Sequence, residues 1–269
     1  MSCCPPDSHP YLKPDANYEH VGQELLSNYS SGLGMYRVGD LDETKRAVVI
    51  CPDVFGWKGG RVRAIADYFA GSGYFVVVCR LLAPSDEIDE HTWSGEQDGL
   101  APDAEFNLEW MKQYPWSRQE HKLDEAVRYV KFLGATKICM LGFCYGGHPC
   151  FWASSKYPED IVCGAVCHPS MQLEGVFGGD FMGLITSVKA PFLILPAGND
   201  LPMYDPAGSD FASALKASAK GDECAIKVYP EMKHGWTCRG DITDPAVATD
   251  VQGAIRDVLA FFNKWSIAN

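Results

Sequence analysis

Residues 140–149 read MLGFCYGGHP and decide how the chain is interpreted. They overlap the end of an apolar run at 137–141 and lead into a stretch that favours a helix. Gly142, Cys144 and Gly146 form a G-x-C-x-G frame, the spacing of a nucleophile on a tight turn between a strand and a helix. The glycines avoid clashes where the central residue has strained backbone angles. The frame therefore predicts that Cys144 is a nucleophile rather than one more buried thiol among the chain's eleven cysteines.

The pattern along the rest of the chain predicts an α/β fold. Short apolar runs alternate with stretches whose apolar residues repeat at helical spacing. The runs are continuously apolar, as expected for strands covered on both faces. Such alternation predicts a mostly parallel twisted sheet with helices on both faces. The predicted strands lie at 47–51, 74–79, 137–141, 161–167, 191–195 and 225–229, and the predicted helices near 61–70, 120–132, 207–219 and 246–265.

Three segments depart from this alternation. Residues 1–20 are predicted to form an extended N-terminal arm of a single domain that spans 1–269. Residues 81–118 are rich in Asp, Glu, Gly, Pro and Trp and are predicted to form a long excursion with one short helix near 103–113. The excursion is either a lid or pocket wall, or a surface insertion. The stretch LEGVFGGDFMG at 173–183 is predicted to be a glycine-rich loop.

Composition and charge argue against several classes of partner. The chain has 269 residues and a formal net charge of −12, which disfavours binding to nucleic acid or to an anionic membrane surface. No segment approaches the ~20 apolar residues that would span a bilayer. The first residues lack the basic and apolar regions of a secretory signal. We therefore expect neither nucleic-acid nor membrane partners.

The cysteines indicate a reducing, cytoplasmic setting. They are odd in number and lack the dense spacing of a secreted disulfide scaffold. Cys3 and Cys4, with His9 nearby, supply too few ligands for a structural zinc site, so no metal is expected. Five others lie in or beside predicted strands, where a reduced thiol behaves as a small buried hydrophobe. These are Cys51, Cys79, Cys139, Cys163 and Cys167.

A nucleophile on such a turn needs an acid and then a histidine later in the chain. Of the seven histidines, only His234 follows both Cys144 and an acid at a strand end. That acid is Asp200, which lies in AGND after the apolar run at 191–195 and would orient the imidazole. The remaining candidates are less well placed for these two roles: Asp205, Asp210, His148 and His168.

These residues predict acyl-transfer chemistry. The Cys144 thiolate would attack an acyl carbon, and His234 would pass a proton to the leaving oxygen and later activate water. The helix after the turn favours the thiolate, because a helix N-terminus lowers the pKa of a nearby thiol. Two backbone N–H groups must hold the oxyanion. They are predicted to be those of Tyr145 and, in the loop after the strand at 47–51, Val54.

Four motifs together resemble the dienelactone hydrolase (carboxymethylenebutenolidase) family. They are PDVFG at 52–56, GFCYGG at 142–147, PAGND at 196–200 and the KHGW…R turn that begins at 233. They occur in order, and the resemblance spans roughly residues 20–265. It implies an α/β-hydrolase fold without a cofactor, and a Cys–Asp–His triad that acts on lactones and related esters.

The resemblance also implies roles for residues outside the triad. The family's acid beside the resting thiol falls on Asp53, which is one methylene shorter than the usual Glu. The family binds a substrate carboxylate through arginines, and Arg239 and Arg80 occupy similar places. An arginine suits a carboxylate because its guanidinium can donate two parallel hydrogen bonds. For Arg80, a surface ion pair is an equally good interpretation.

The motifs favour a hydrolase of small lactones or carboxylic esters. The alternatives are a hydrolase of another ester, a thioester or a glycan, and an α/β-hydrolase that binds a ligand with little turnover. A redox-sensing thiol is a further alternative, for which Cys150 would be a poorly placed resolving cysteine. The chain is expected to act on a small molecule as a monomer or a homodimer.

Overall fold

The computed structural model describes residue 5 and residues 7–26, 34–82, 108–112 and 114–267. Cys3 and Cys4 lie outside these residues, as do residues 83–107 and 113 of the predicted excursion. The helix predicted near 103–113 is therefore described only from Leu108, where a short helix runs to Met111.

The described residues contain one eight-stranded sheet. Its strands are β1 (Gln23–Leu26), β2 (Gly34–Val38), β3 (Arg46–Cys51), β4 (Phe75–Cys79), β5 (Lys137–Phe143), β6 (Ile161–Cys167), β7 (Phe192–Leu195) and β8 (Ala225–Ile226). Across the sheet their order is β1-β2-β4-β3-β5-β6-β7-β8. All neighbouring pairs from β4–β3 to β7–β8 are parallel, and the pairs that β2 makes with β1 and β4 are antiparallel. The prediction of a mostly parallel sheet is confirmed.

Helices cover both faces of this sheet. They are α1 (Val62–Gly71), α2 (Leu108–Met111), α3 (Glu120–Phe132), α4 (Gly147–Lys156), α5 (Leu173–Val176), α6 (Phe181–Ser187), α7 (Asp210–Ala217), α8 (Trp236–Arg239) and α9 (Pro245–Ile267). Alternate strand residues face opposite sides, so Val48 and Ile50 pack in one core with α1 and α9. Val49 packs in the other core with α3, α4, α6 and α7. None of the described helices is both long enough and apolar enough to cross a bilayer.

The strand register aligns the carboxyl ends of the parallel strands. Cys51 in β3 is opposite Gly142 in β5, which is opposite Val166 in β6. Val166 is in turn opposite Ile194 in β7, and Ile194 is opposite Ile226 in β8. These residues form one row across the sheet, and each chain segment leaves the sheet just beyond it. Side chains from the following turns therefore collect along a single edge.

The structure of residues 173–183 and the end of the last strand were predicted wrongly, and two short strands were not predicted. Residues 173–183 are not wholly a loop, because they contain α5 and the first turn of α6. The side chain of Asp180 caps α6 by accepting the N–H of Gly183 at 2.9 Å, which offsets the many glycines. The short edge strands β1 and β2 were not predicted at all, since neither has the continuous apolar run of the central strands. The last strand, predicted to reach residue 229, ends at Ile226 apart from one bridge at Tyr229.

The turn after β5 packs against the end of β3. Cys144 begins a 3₁₀ turn, Cys144–Gly146, and has a φ of +55°, in the left-handed region that non-glycine residues rarely adopt. A Cβ on Gly142 would lie 2.5 Å from the carbonyl oxygen of Gly146. A Cβ on Gly146 would overlap the carbonyl oxygen of Cys51. Both glycines of the sequence frame are therefore required by close backbone contact, as the motif predicts.

Replacing Gly146 with Ala is expected to lower the free energy of unfolding by about 2–3 kcal/mol, because the new methyl group meets backbone that cannot rotate away. Urea unfolding followed by tryptophan fluorescence measures the change. The control is Gly175→Ala in α5, where a Cβ would meet nothing within 4 Å and the free energy should stay within about 0.5 kcal/mol. Equal stability of the two variants would contradict the role assigned to Gly146.

Candidate active site

The edge of the sheet beyond the aligned row carries the polar residues of the candidate active site. In sheet order they are Asp53 after β3, Cys144 after β5, His168 after β6, Asp200 after β7 and His234 after β8. Four of these are predicted site residues, and His168 is the histidine that chain order disfavours as the base. The parallel topology brings all five to the same edge.

Asp200 and His234, the predicted acid and base, form a buried pair. His234 Nδ1 lies 2.5 Å from Asp200 Oδ1, and both side chains are almost fully buried. Asp200 Oδ2 accepts the backbone N–H of Ala197 at 2.8 Å, and the backbone N–H of His234 donates to Asn199 Oδ1 at 2.7 Å. Because an ionised carboxylate only accepts hydrogen bonds, Nδ1 carries a proton toward Asp200. Nε2 is then the ring nitrogen suited to proton exchange.

Ser170, which the sequence pattern does not single out, contacts the sulfur of Cys144. The thiol donates to the Ser170 hydroxyl, with an Sγ–Oγ distance of 3.4 Å. The backbone N–H of Ser170 also donates to the carbonyl oxygen of Cys144 at 3.0 Å. The hydroxyl of Tyr204 holds the next residues, since it accepts the N–H of Met171 at 3.0 Å and donates to Gln172 at 2.7 Å. The signal that could have identified Ser170 is its position just after a strand end at the predicted catalytic edge.

His168 packs against the imidazole of His234. The two rings meet edge to face, with centroids 5.0 Å apart. The His168 ring stacks on Phe143 on another side, at 6.0 Å, and its Nε2 lies 2.6 Å from Thr237 Oγ1. His168 also has a positive φ, of +41°. Chain order argued against His168 as the base. In the structure its ring packs against that of His234, the predicted base.

Asp53 and Arg239 form a buried ion pair. Asp53 Oδ1 also accepts the N–H of Phe55 at 2.9 Å, and the Arg239 guanidinium lies over the Phe55 ring, 4.7 Å from its centroid. Arg239 Nε donates to the carbonyl oxygen of His9 at 3.0 Å. Asp53 thus pairs with Arg239, the arginine that is expected to bind a substrate carboxylate. Its expected place beside the resting thiol stays a prediction.

Arg80 lies directly after β4 and is only 3% exposed. Its backbone N–H donates to the carbonyl oxygen of Gly34 at 2.8 Å. Its side chain runs past the same glycine, where a Cβ would lie 2.7 Å from Arg80 Cδ. This burial contradicts the interpretation of Arg80 as a surface ion pair. Its role toward a substrate stays a prediction.

A separate apolar cluster surrounds Cys144, and we call it the thiol cluster. It brings together the loop after β3, the end of the excursion, the turn after β5 and α5. Its buried members are Val54, Leu82, Met111, Cys144, Tyr145 and Leu173, and Phe55, Tyr114, Val176 and Phe177 pack against it half-buried. Val54 and Tyr145, the predicted oxyanion donors, therefore share one cluster with the thiol. The direction of their N–H groups toward a substrate stays a prediction.

His148 and Glu174 connect α4 to α5 at the margin of this cluster. The imidazole of His148 contacts the carboxylate of Glu174. The hydrogen bond from His148 lowers the pKa of Glu174 more than partial burial raises it. Glu174 therefore stays ionised at neutral pH, and the pair fastens α5 over the turn after β5. His148 thus pairs with Glu174, which agrees with its being a less well placed candidate for the base than His234.

The cysteines predicted to be buried in strands are buried. Cys51, Cys79, Cys139, Cys163 and Cys167 all lie in strands and have no exposed surface. Burial raises the pKa of Cys167 to about 12 and raises the pKa of Cys51 and Cys163 well above the usual value. These three thiols stay protonated at neutral pH and are poor nucleophiles. Within the described residues, no group of three or more His, Cys, Asp or Glu side chains is placed to hold a metal ion.

Known proteins share this sequence pattern and this fold. The sequence model of the Dienelactone hydrolase family matches residues 35–266. The carboxymethylenebutenolidase homolog of Rattus norvegicus is 25% identical over 255 residues, which cover 93% of this chain and 93% of that protein. The endo-1,3;1,4-beta-D-glucanase of Zea mays is 28% identical over 177 residues, which cover 66% of this chain and 50% of that protein.

A solved structure with a similar fold is the dienelactone hydrolase of Anabaena variabilis. It matches with a TM-score of 0.55 at 19% identity, and the match covers 88% of this chain and 97% of that one. The likeness confirms the predicted α/β-hydrolase fold. The family match extends over most of the chain, including every motif on which the resemblance was based. The chain therefore belongs to the dienelactone hydrolase family and is a carboxylic ester hydrolase.

Proposed function

We propose that this chain hydrolyses small lactones and carboxylic esters with Cys144 as nucleophile, Asp200 as acid and His234 as base. One observation carries the proposal. The buried Asp200–His234 pair lies at the same sheet edge as a turn that holds Cys144 at a φ of +55°. A non-glycine residue in that region is strained, and such strain concentrates at functional sites. Membership of the family supports the reaction class.

In the first half of the reaction, the thiol becomes an acyl thioester. His234 Nε2 takes the proton of Cys144, and the sulfur attacks the acyl carbon to form a C–S bond. The carbonyl π electrons move to oxygen, where the N–H groups of Tyr145 and Val54 stabilise the oxyanion. When the oxyanion collapses, the C–O bond breaks and the leaving oxygen takes the proton from His234. In a lactone, the leaving alcohol or enol stays attached to the acyl group.

In the second half, water releases the product. His234 Nε2 takes a proton from water, and the resulting hydroxide attacks the thioester carbon. The C–S bond breaks, the carboxylic acid leaves and the proton returns to the sulfur. Asp200 orients the imidazole and stabilises the imidazolium through Nδ1. No cofactor is consumed in either half.

The substrate side of the site combines apolar and cationic groups. The thiol cluster offers an apolar wall to the hydrocarbon part of a substrate. Arg239 supplies a guanidinium for a substrate carboxylate, and Arg80 is a second candidate. Cys144 is fully buried, so we expect the thiol cluster to rearrange when a substrate reaches the sulfur. A flat, partly unsaturated lactone that carries a carboxylate fits both features.

A glycan substrate is favoured less. The relative from Zea mays named as a glucanase is matched over only half of its length. Enzymes that cleave glycosidic bonds usually place two carboxylates on either side of the bond. The catalytic edge of this sheet presents a thiol and an imidazole, which suit an acyl carbon better than an acetal carbon. A thioester or a different ester would be attacked by the same steps.

Replacing Cys144 with Ala is expected to lower kcat/KM by more than about 10³-fold on aryl esters and unsaturated lactones, because the attacking atom is gone. Initial rates of wild type, Cys144→Ala and Cys144→Ser are measured against pH. The control is Cys150→Ala, which removes another buried thiol of the same region. Wild-type rates in Cys144→Ala would contradict the mechanism. A wild-type protein that binds these compounds without hydrolysing them would support the ligand-binding alternative.

Replacing Ser170 with Ala is expected to raise the pH at which alkylation of Cys144 reaches half its maximal rate by about one unit. The reason is that the Ser170 hydroxyl can turn to donate to the thiolate, and a hydrogen bond to a charged group is worth about 1.5 kcal/mol or more. Iodoacetamide labelling is followed by mass spectrometry of the peptide that contains Cys144. Ser170→Thr keeps a hydroxyl and should preserve the wild-type profile. Identical profiles for wild type and Ser170→Ala would show that the contact does not tune the thiol.

Replacing Arg239 with Met is expected to lower the free energy of unfolding by about 3–5 kcal/mol, because it leaves the buried Asp53 carboxylate without its cation. The double variant Asp53→Asn/Arg239→Met should recover much of that loss, since no unpaired charge remains. Asn keeps an oxygen for the N–H of Phe55. Denaturant unfolding of wild type, both single variants and the double variant gives the coupling energy. Effects that add within about 0.5 kcal/mol would contradict a coupled buried pair.

A further inference from the structure

We propose that the N-terminal arm, through the peptide groups of His9, is a working part of the active site that positions both the His234 turn and Arg239. The proposal rests on the proposed function of the Cys144 site. Residues 7–20 of the arm contain neither helix nor strand. They precede the region matched by the family, which begins at residue 35. The contacts that the arm makes therefore add to what family membership implies.

Both peptide groups of His9 bind residues of the proposed site. The N–H of His9 donates to the carbonyl oxygen of His234 at 2.9 Å. The carbonyl oxygen of His9 accepts from Arg239 Nε at 3.0 Å. On its other side, the same guanidinium pairs with Asp53. His9 thus bonds directly to the turn that carries the base and to the arginine that would bind the substrate carboxylate.

Further contacts set the position of the arm on either side of this point. The carbonyl oxygen of Leu12 accepts the N–H of Gly60 at 2.8 Å, and the Tyr11 ring lies 5.6 Å from the Phe55 ring. Phe55 is the residue after Val54, the predicted oxyanion donor, and its ring also lies beneath the Arg239 guanidinium. The arm is therefore bound to the loop after β3 as well as to the turn after β8. In sheet order, β3 and β8 lie on either side of β5, the strand that leads to Cys144.

The far end of the arm is tied to α1 through Asp67. The hydroxyl of Tyr18 donates to Asp67 Oδ2 at 3.1 Å, and the N–H of Val21 donates to the same oxygen at 3.3 Å. Asp67 Oδ1 accepts the hydroxyl of the buried Tyr36 at 2.5 Å. The chain is therefore bound to α1 near residues 18–21 as well as to the His234 turn at His9.

Three cationic side chains lie near His9, although the chain carries a net charge of −12 and Arg239 is paired with Asp53. Burial lowers the pKa of His9, and the nearby charges of Arg239, Lys233 and Arg61 lower it further. The imidazole is therefore neutral at neutral pH, while the cations around it remain. Arg61 and Lys233 add positive charge beside the Arg239–Asp53 pair, and a local excess of positive charge favours the approach of an anionic substrate. The arm thus covers the side of the site that suits a carboxylate-bearing lactone.

The test uses proline to remove one hydrogen bond from the full-length chain. His9→Pro deletes the N–H that donates to His234. Since His9 already precedes Pro10, its backbone is confined to an extended region that proline also adopts. His9→Ala removes the imidazole but keeps both peptide bonds. Ala16→Pro places a proline in the same arm, inside the turn closed by the N–H of Tyr18 and the carbonyl oxygen of Asp15, where proline is tolerated.

Kinetics with a carboxylate-bearing lactone and with a neutral aryl ester separate positioning from general loss of structure. His9→Pro is expected to lower kcat about tenfold on both substrates, through the His234 turn. It should raise KM about tenfold for the anionic lactone alone, because loss of the N–H bond lets the carbonyl oxygen of residue 9 shift away from Arg239 Nε. Ala16→Pro should stay within about twofold of wild type on both substrates, and His9→Ala should lose less activity than His9→Pro. Wild-type kinetics in His9→Pro, or equal losses in all three variants, would overturn the proposal.

Hydrogen–deuterium exchange tests whether His9 anchors the His234 turn, and it does not require the protein to be active. Backbone amides in residues 231–241 are expected to exchange about tenfold faster in His9→Pro than in His9→Ala, because an anchoring hydrogen bond is lost. Equal exchange in the two variants would overturn the proposal even if the enzyme proves active. A wild type that is inactive on both substrates would count against the proposed function, and the exchange data would still decide whether the arm holds this turn.

Discussion

Every part of the candidate site depends on the close approach of the turn after β5 to the end of β3. The approach is possible because Gly146 has no side chain to meet the carbonyl oxygen of Cys51. It brings the loop that carries Val54 into the same cluster as Tyr145 and Cys144. It also lets α4 start directly after the turn, at Gly147. The strain of a positive φ at Cys144, of order 1–3 kcal/mol, is sustained by the packing of the central sheet.

The site keeps buried charge by giving each charged group several partners. Asp200 uses one oxygen for His234 and the other for a backbone N–H of its own loop. Asp53 likewise uses one oxygen for the Arg239 guanidinium and the other for the backbone N–H of Phe55. Removing charges from water is costly unless hydrogen bonds replace the lost hydration. These partners explain how a polar pair and an ion pair persist beside the apolar thiol cluster. The carbonyl oxygen of His9, in the N-terminal arm, is a further acceptor for Arg239.

The sequence predicted the parts of the site that follow from local rules. A glycine frame predicted the turn at Cys144, and chain order selected Asp200 and His234, which the structure brings within 2.5 Å of each other. It did not reveal Ser170, because the one available signal, a position just after a strand end, is shared by other residues of the same edge. The edge strands β1 and β2 and the helix α5 were missed for a related reason. β2 is stabilised by pairing with β4 and α5 by the contact of Glu174 with His148, and β1 is held by its pairing with β2, so none of them depends on its own periodicity.

The sequence by itself determined the alternation of strands and helices, the tight turn at Cys144 and the chain order of nucleophile, acid and histidine. Each is written in residues close to one another, through apolar spacing and the steric needs of glycine. Only the tertiary structure decided that Asp53 pairs with Arg239, that Ser170 contacts the sulfur and that His9 binds both Arg239 and the His234 turn. These contacts join segments far apart in the chain, and they form because the parallel sheet aligns its carboxyl ends along one edge where buried polar groups must find partners.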